Sequence, residues 1–190
     1  MSNFRAFAAL FLSLLSACAS THEAAHHAAP IAEGDARQVF ERLKSLDGDW
    51  TGTSTKGWTE TIRYQTIAAG SCVQESSFGA HPNESMVTLF HLDGPRLMLT
   101  HYCVAKNQPR LVATELAPDA STVTFTFLDA TNLASRDKGH MDKVRFHFVG
   151  PDEFTSQWTW YQDGHESWME EIVHRRSAPS AAPIRAPAGP

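Results

Sequence analysis

The chain has 190 residues, with 16 Lys and Arg against 21 Asp and Glu, and a formal charge of −5 with its histidines neutral. That balance excludes the clustered basic footprint of a nucleic-acid-binding protein. It suits a domain held on a tether better than a positively charged sheet lying on anionic lipid.

Arg5 is the only charge in the first seventeen residues; residues 6–15 are apolar apart from Ser13, and the small residues Ser16 and Ala17 follow. A basic start, a short apolar run and a small-residue cleavage site make up a secretory signal, so residues 1–17 are expected to be one. The run is too short to span a bilayer, which takes roughly 20 apolar residues. The tetrad Leu15-Ser16-Ala17-Cys18 resembles the bacterial lipobox. That resemblance implies cleavage before Cys18 and lipid on its thiol. With Ala19 next instead of Asp, it also implies an exported protein anchored to the outer membrane and facing the periplasm. Two or more acyl chains hold a protein on a membrane stably. An ordinary signal peptide that happens to contain a cysteine is the alternative.

Residues 18–34 are rich in Ala and His without a sustained period, and read as the lipidated cysteine followed by a flexible tether. His22, His26 and His27 have no fixed carboxylate or thiol beside them and read as solvated linker. At the other end, SAPSAAPIRAPAGP carries four prolines in fourteen residues and reads as a disordered tail over 177–190.

Between these, residues 35–176 form one domain of ordinary size. It opens on DARQVFERLKSL, where Asp35 can cap a helix and Val39, Phe40, Leu43 and Leu46 fall at helical spacing. After Asp47 the pattern is strands. Val123, Phe125 and Phe127 alternate with threonines; Val144, Phe146 and Phe148 alternate with Arg145 and His147; Phe154, Ser156, Trp158 and Trp160 share one face. Such alternation marks half-buried antiparallel strands. Further strands are expected at 49–55, 59–67, 72–79, 85–92, 96–103, 110–116 and 166–174. The fold class is therefore all-β: an antiparallel up-and-down barrel of about ten strands with one short N-terminal helix, or else a sandwich. At Asp163-Gly164, a three-residue loop ending at His165 aligns Trp160 with Trp168 and Ser156 with Ile172. That register predicts a bulged turn, with Trp168, Glu170, Ile172 and His174 facing inward.

Gly48-Asp49-Trp50, on the first strand after a short helix, resembles the opening Gly-x-Trp of lipocalins, whose Trp closes one barrel end. LTHYCVAKNQPR and GHMDKVRFHFVGPDEFTSQWTWYQDG resemble uncharacterised bacterial lipocalin-like (calycin-type) domains of secreted proteins, and this likeness covers most of residues 46–176. It implies the fold more than an activity. The related nitrobindin-like barrels imply haem on a histidine of the last strand. In ESWMEEIVHRR, Trp168 stands where that histidine belongs, with His174 further along and His165 in the turn.

A barrel of this size can hold one small ligand. The expected lining is Phe90, Leu99, Phe125, Phe127, Phe146 and Phe148, joined by the indoles of Trp158, Trp160 and Trp168, with His101, Glu170 and His174 as polar groups. A buried carboxylate needs a partner, which Arg63 or His101 can supply to Glu170. The expected function is a membrane-anchored carrier of a small, mostly apolar molecule. The alternatives are a haem or metal carrier, and an enzyme using Glu170 or His174 as acid or base, with Glu75 and His101 as further titratable groups. His101, Cys103 and His140 carry donors suited to zinc or copper but match no short ligand motif, and no metal site is assigned. No nucleophile elbow, His-Glu-x-x-His or phosphate-cradling loop occurs, so no catalytic residue is assigned. Cys72 and Cys103 are placed at opposite rims, too far apart for a disulfide, and read as free buried thiols. The pattern leaves oligomeric state open.

Overall fold

The computed structural model describes residues 28–79 and 84–178. The expected signal peptide, Cys18, the tether histidines and the tail from residue 179 onward lie outside the described residues. Helix α1 spans Glu33–Lys44 and buries Ala36, Val39, Phe40 and Leu43, the face the spacing foretold. It begins ahead of Asp35, and Ala32 occupies the N-cap position without a side-chain bond. Glu33 and Asp35 instead lie in the first turn, where the positive end of the helix dipole favours carboxylates. Ile31 donates its backbone N–H to the Ala113 carbonyl at 3.0 Å, so the last part of the expected tether is docked on the barrel.

The strands are β1 (Gly48–Ser54), β2 (Thr59–Ile67), β3 (Cys72–Phe78), β4 (Ser85–Asp93) and β5 (Arg96–Tyr102). They continue as β6 (Gln108–Leu116), β7 (Thr122–Thr131), β8 (His140–Phe148), β9 (Glu153–Gln162) and β10 (His165–Arg176). Each pairs antiparallel with the next, and β10 returns to β1 from Trp50↔Arg176 to Ser54↔Ile172, closing the barrel. Closure leaves no unpaired strand edge. The expected barrel is therefore present, and a sandwich is not.

The meander gives the barrel two unlike ends. At the end where β1 starts and β10 finishes, α1 covers the opening and its apolar face joins the core. Trp50 is buried there and donates its indole N–H to the Leu46 carbonyl at 2.7 Å. Its ring meets Phe154 edge-on at 5.0 Å and Tyr64 at 6.5 Å. The Arg176 guanidinium lies 4.3 Å from the centre of the same ring and donates to the Ser45, Asp47 and Pro151 carbonyls. The Gly-x-Trp segment thus closes this end. Beneath it Phe90, Phe125 and Phe146 pack edge to face at 5.8–6.2 Å, a geometry that adds about 0.5–1.5 kcal/mol per pair beyond burial.

The β9–β10 connection differs from the expectation. His165 pairs with Gln162 and Ser167 with Trp160, so the loop holds two residues, Asp163 and Gly164. Both have positive φ, 50° and 81°, as the tight hairpin turns of twisted strands require. Trp168 therefore pairs with Thr159 and faces outward, 45% exposed. The register then shifts between Trp168 and Glu171, which restores Ile172↔Ser156. One extra residue in a bulge returns the later part of the strand to the inward phase. The apolar pattern of residues 170–174 was thus read in the right phase, but a bulge within the strand produces it, not a longer turn.

Cys72 begins β3 and Cys103 follows β5, at opposite ends of the barrel, and both are free thiols. They are half-buried, less covered than expected.

Candidate functional site

At the end away from α1 the interior is hollow. A cavity of about 100 Å³ lies there, and alternate residues of the meander supply its walls. Antiparallel pairing sets opposed side chains on one face. Tyr64↔Glu75, Glu75↔Thr88 and Thr88↔His101 therefore run as one inward row across β2, β3, β4 and β5. The Tyr64 hydroxyl donates to Glu75 Oε2 at 2.7 Å, and Thr88 Oγ1 bonds His101 Nδ1 at 3.0 Å. A second row, Glu60↔Gly52↔His174, crosses β2, β1 and β10. Gly52 is required there, because a Cβ would lie 2.9 Å from Glu60 Cγ and 3.0 Å from Ile172 Cγ2. Its bare backbone lets the Glu60 chain lie across β1.

These groups titrate far from their usual ranges. Burial, reinforced by the neighbouring Glu75 charge, raises Glu60 to about 8. Glu75 rises to about 7, burial outweighing the hydrogen bond from Tyr64. Tyr64 itself is raised, by burial first and by Glu75 second. Burial lowers His101 to about 4 and His174 to about 3. Near pH 7 the imidazoles are neutral, Glu60 is mostly protonated and Glu75 is near its midpoint.

The imidazoles are also held firmly. His174 Nε2 bonds Ser156 Oγ at 2.8 Å, and its ring stacks on Phe154 at 4.3 Å. His101 packs against Trp158 with centroids 4.7 Å apart. Among the described residues His101 Nε2 and His174 Nδ1 have no hydrogen-bond partner, at about 1–3 kcal/mol for each buried unsatisfied group. The Ser156–His174 pair has the separation of a nucleophile and its base. Burial lowers the imidazole to about 3, which makes it a weak base for taking a serine proton at neutral pH.

At the rim, Glu170 sits in the β10 bulge and accepts from Lys56 Nζ at 3.0 Å and Trp58 Nε1 at 2.9 Å. Burial works against its charge, but its own backbone N–H and these two donors hold its pKa below the usual range. Neither expected partner reaches it: Arg63 pairs with Asp49 and His101 bonds Thr88. A carboxylate fixed by an ammonium is a poor acid or base near pH 7, which removes the basis for giving Glu170 that role.

Of the expected lining residues, the structure brings His101, Phe146, Trp158, Glu170 and His174 to the cavity. Phe90, Leu99, Phe125 and Phe148 belong to the packed core at the α1 end. Phe127 stacks on His140 at 4.7 Å and under Arg136 at 4.4 Å. Trp160 lies against Gly139, with no room for a Cβ between them. Trp168 stacks outside the barrel under Arg145 and Lys143. Composition alone hid Glu60, Tyr64 and Ser77, because polar residues inside a barrel break the alternation used to find inward positions. The alternation in TETIRYQ still carried the signal, since Glu60 falls in phase with Ile62 and Tyr64.

Among the described residues, no three His, Cys, Asp or Glu side chains come together as a metal-holding group. His140 is bound into a different cluster, with Arg136, Asp142 and the Lys138 carbonyl. A haem does not fit the residues present. The cavity, about 100 Å³, is below the roughly 300–1,000 Å³ of drug-sized and cofactor sites. Among the described residues no helix is long and apolar enough to cross a membrane.

The chain matches no protein-family model and no curated protein. Among solved structures it is similar to a protein of unknown function of the DUF3598 family from Nostoc punctiforme PCC 73102, at 11% identity and a TM-score of 0.47. The likeness covers 71% of this chain and 49% of that one, so the chain spans about half the length of that structure.

Proposed function

We propose that this protein is an exported, lipid-anchored binding protein that holds one small molecule in the open end of a lipocalin-like barrel. The observation that carries the reading is the hollow itself. It combines apolar walls (Phe146, Trp158, Ile172 and three methionines) with converging polar groups, the usual make-up of a small-molecule site. Its size calls for a compact ligand, since an engineered cavity of about 150 Å³ takes benzene. Its chemistry calls for a ligand with a polar end as well as an apolar body, which sharpens the expectation of a mostly apolar one. The lipobox at Cys18 supports the anchor, and the Gly-x-Trp of β1 supports kinship with lipocalins.

Trp58 and Trp158 line the cavity, so their emission reports occupancy. Small molecules extracted from the native host should change that emission saturably, and native mass spectrometry should show one bound per chain. No saturable change with any extract would count against a binding role. For the anchor, labelling cells with a radiolabelled fatty acid should mark the wild type and leave Cys18→Ser unlabelled.

A further inference from the structure

We propose that the occupant is a small protonated amine, its ammonium held by the Glu60 and Glu75 carboxyls and its body laid against the Trp58 and Trp158 rings. This rests on the reading of the cavity as a binding site and adds the chemical class of its ligand. Among the described residues three carboxyl groups line the hollow, yet no Lys or Arg does. Glu170 already has Lys56, whereas Glu60 and Glu75 pair with no cation among the described residues. Among the described residues the Glu75 carboxyl accepts only from Tyr64, and the Glu60 carboxyl makes no hydrogen bond. A buried carboxylate without a partner is costly, and a cation within a few ångströms relieves that cost.

The remaining polar groups are short of donors in the same way. His101 and His174 are 4% and 3% exposed and line the cavity, each with one ring nitrogen unpartnered. Each bonded nitrogen faces a hydroxyl, Thr88 or Ser156. In the tautomer that donates to that hydroxyl, the free nitrogen presents a lone pair. Once Glu60 and Glu75 ionise, their oxygens and the two lone pairs converge as acceptors, with the Ser77 hydroxyl able to serve either way, and an ammonium supplies three donors and the missing charge. Indole faces attract such a cation as well. A volume of about 100 Å³ limits the body to a short chain or small ring.

The titratable groups around the two carboxyls are Tyr64 on β2, His101 on β5, and His174 and Glu170 on β10. None supplies a positive charge at pH 7. Binding an ammonium therefore favours the carboxylate form and releases protons.

Calorimetry of the full chain with butylamine, 1-butanol and butyrate at pH 7 tests the assignment. Butylamine should bind at least tenfold more tightly than 1-butanol and release protons, seen as an enthalpy that depends on the buffer. Butyrate should be the weakest. Glu60→Gln and Glu75→Gln should each weaken butylamine about tenfold and leave 1-butanol unchanged, with near-ultraviolet circular dichroism confirming the fold. Equal binding of amine and alcohol, tighter binding of butyrate, or unchanged amine affinity in both variants would overturn the amine assignment and leave the cavity a binding site. Binding of none of the three would overturn both.

Discussion

The two ends of this barrel are built from the same repeating strand and differ in what its inward positions carry. Near α1 those positions hold Phe90, Leu99, Phe125 and Phe154, all fully buried, with the Phe90 and Phe125 rings in contact. At the far end β2, β3, β5 and β9 present Glu60, Glu75, His101 and Ser156 around a hollow. β5 shows the change within one strand, since Leu99 lies in the packed core and His101, two residues on, faces the cavity. Dense packing at one end supplies the stability that lets the other bear unpaired nitrogens and unneutralised carboxyls. Strain of this kind gathers at functional sites and is tolerated when the surrounding structure over-determines them.

The sharpest way to test that contrast is to damage the packed end. Phe154→Ala removes a ring that touches Trp50, Tyr64 and Phe146. It should cost about 3–5 kcal/mol in urea unfolding. A loss of under 1 kcal/mol would mean that the closed end does not carry the fold.

At the hollow end, a substitution should help instead of harm. Glu60→Gln removes the need to ionise a carboxyl whose pKa is raised to about 8. At pH 9 a raise of this size corresponds to a stabilisation of roughly 4–5 kcal/mol, and at pH 5 to under about 1 kcal/mol. Denaturant midpoints at the two pH values check this.

The four interior groups also set a shape for stability against pH. Between about pH 4.5 and 6.5 the unfolded chain binds two protons on the histidines, while the folded chain binds two on Glu60 and Glu75. Equal proton uptake means no slope from these groups. Above that window only the folded carboxyls still hold protons, so stability falls as pH rises through about 7 and 8. Below it the unfolded carboxyls take up protons near 4.5, ahead of the folded imidazoles near 4 and 3, so stability falls again as pH drops. Thermal melts across pH 3–9 should show a level top between two falling sides. A continuous rise from pH 4.5 to 8 would contradict the raised carboxyls.

The smallest effect belongs to the rim. Lys56 is two-thirds exposed in its pair with Glu170, so Lys56→Ala should cost under about 1 kcal/mol in stability. Its larger consequence should be a raised Glu170 pKa, readable by carboxyl NMR.

Much of this architecture was legible in the chain. Alternation in VTFTFLD and KVRFHFV placed β7 and β8, and Val39, Phe40 and Leu43 placed the helix face. Three features escaped for physical reasons. Periodicity cannot say whether a phase change sits in a turn or in a bulge, which is how Trp168 came to be placed inside. Inward position also does not separate a packed ring from one beside a void. Phe125 and Phe146 are both inward, yet only Phe146 reaches the hollow. Glu60 and Ser77 were passed over because charge and hydroxyls ordinarily mark the solvent face.

Carboxyl ¹³C shifts of Glu60 and Glu75, followed from pH 3 to 10, bear most directly on whether the open end encloses acids that lack a counter-charge. Midpoints near 8 and 7 are expected. If both groups titrate together near 4.5, they are solvated or paired, and the contrast between the two ends of the barrel fails.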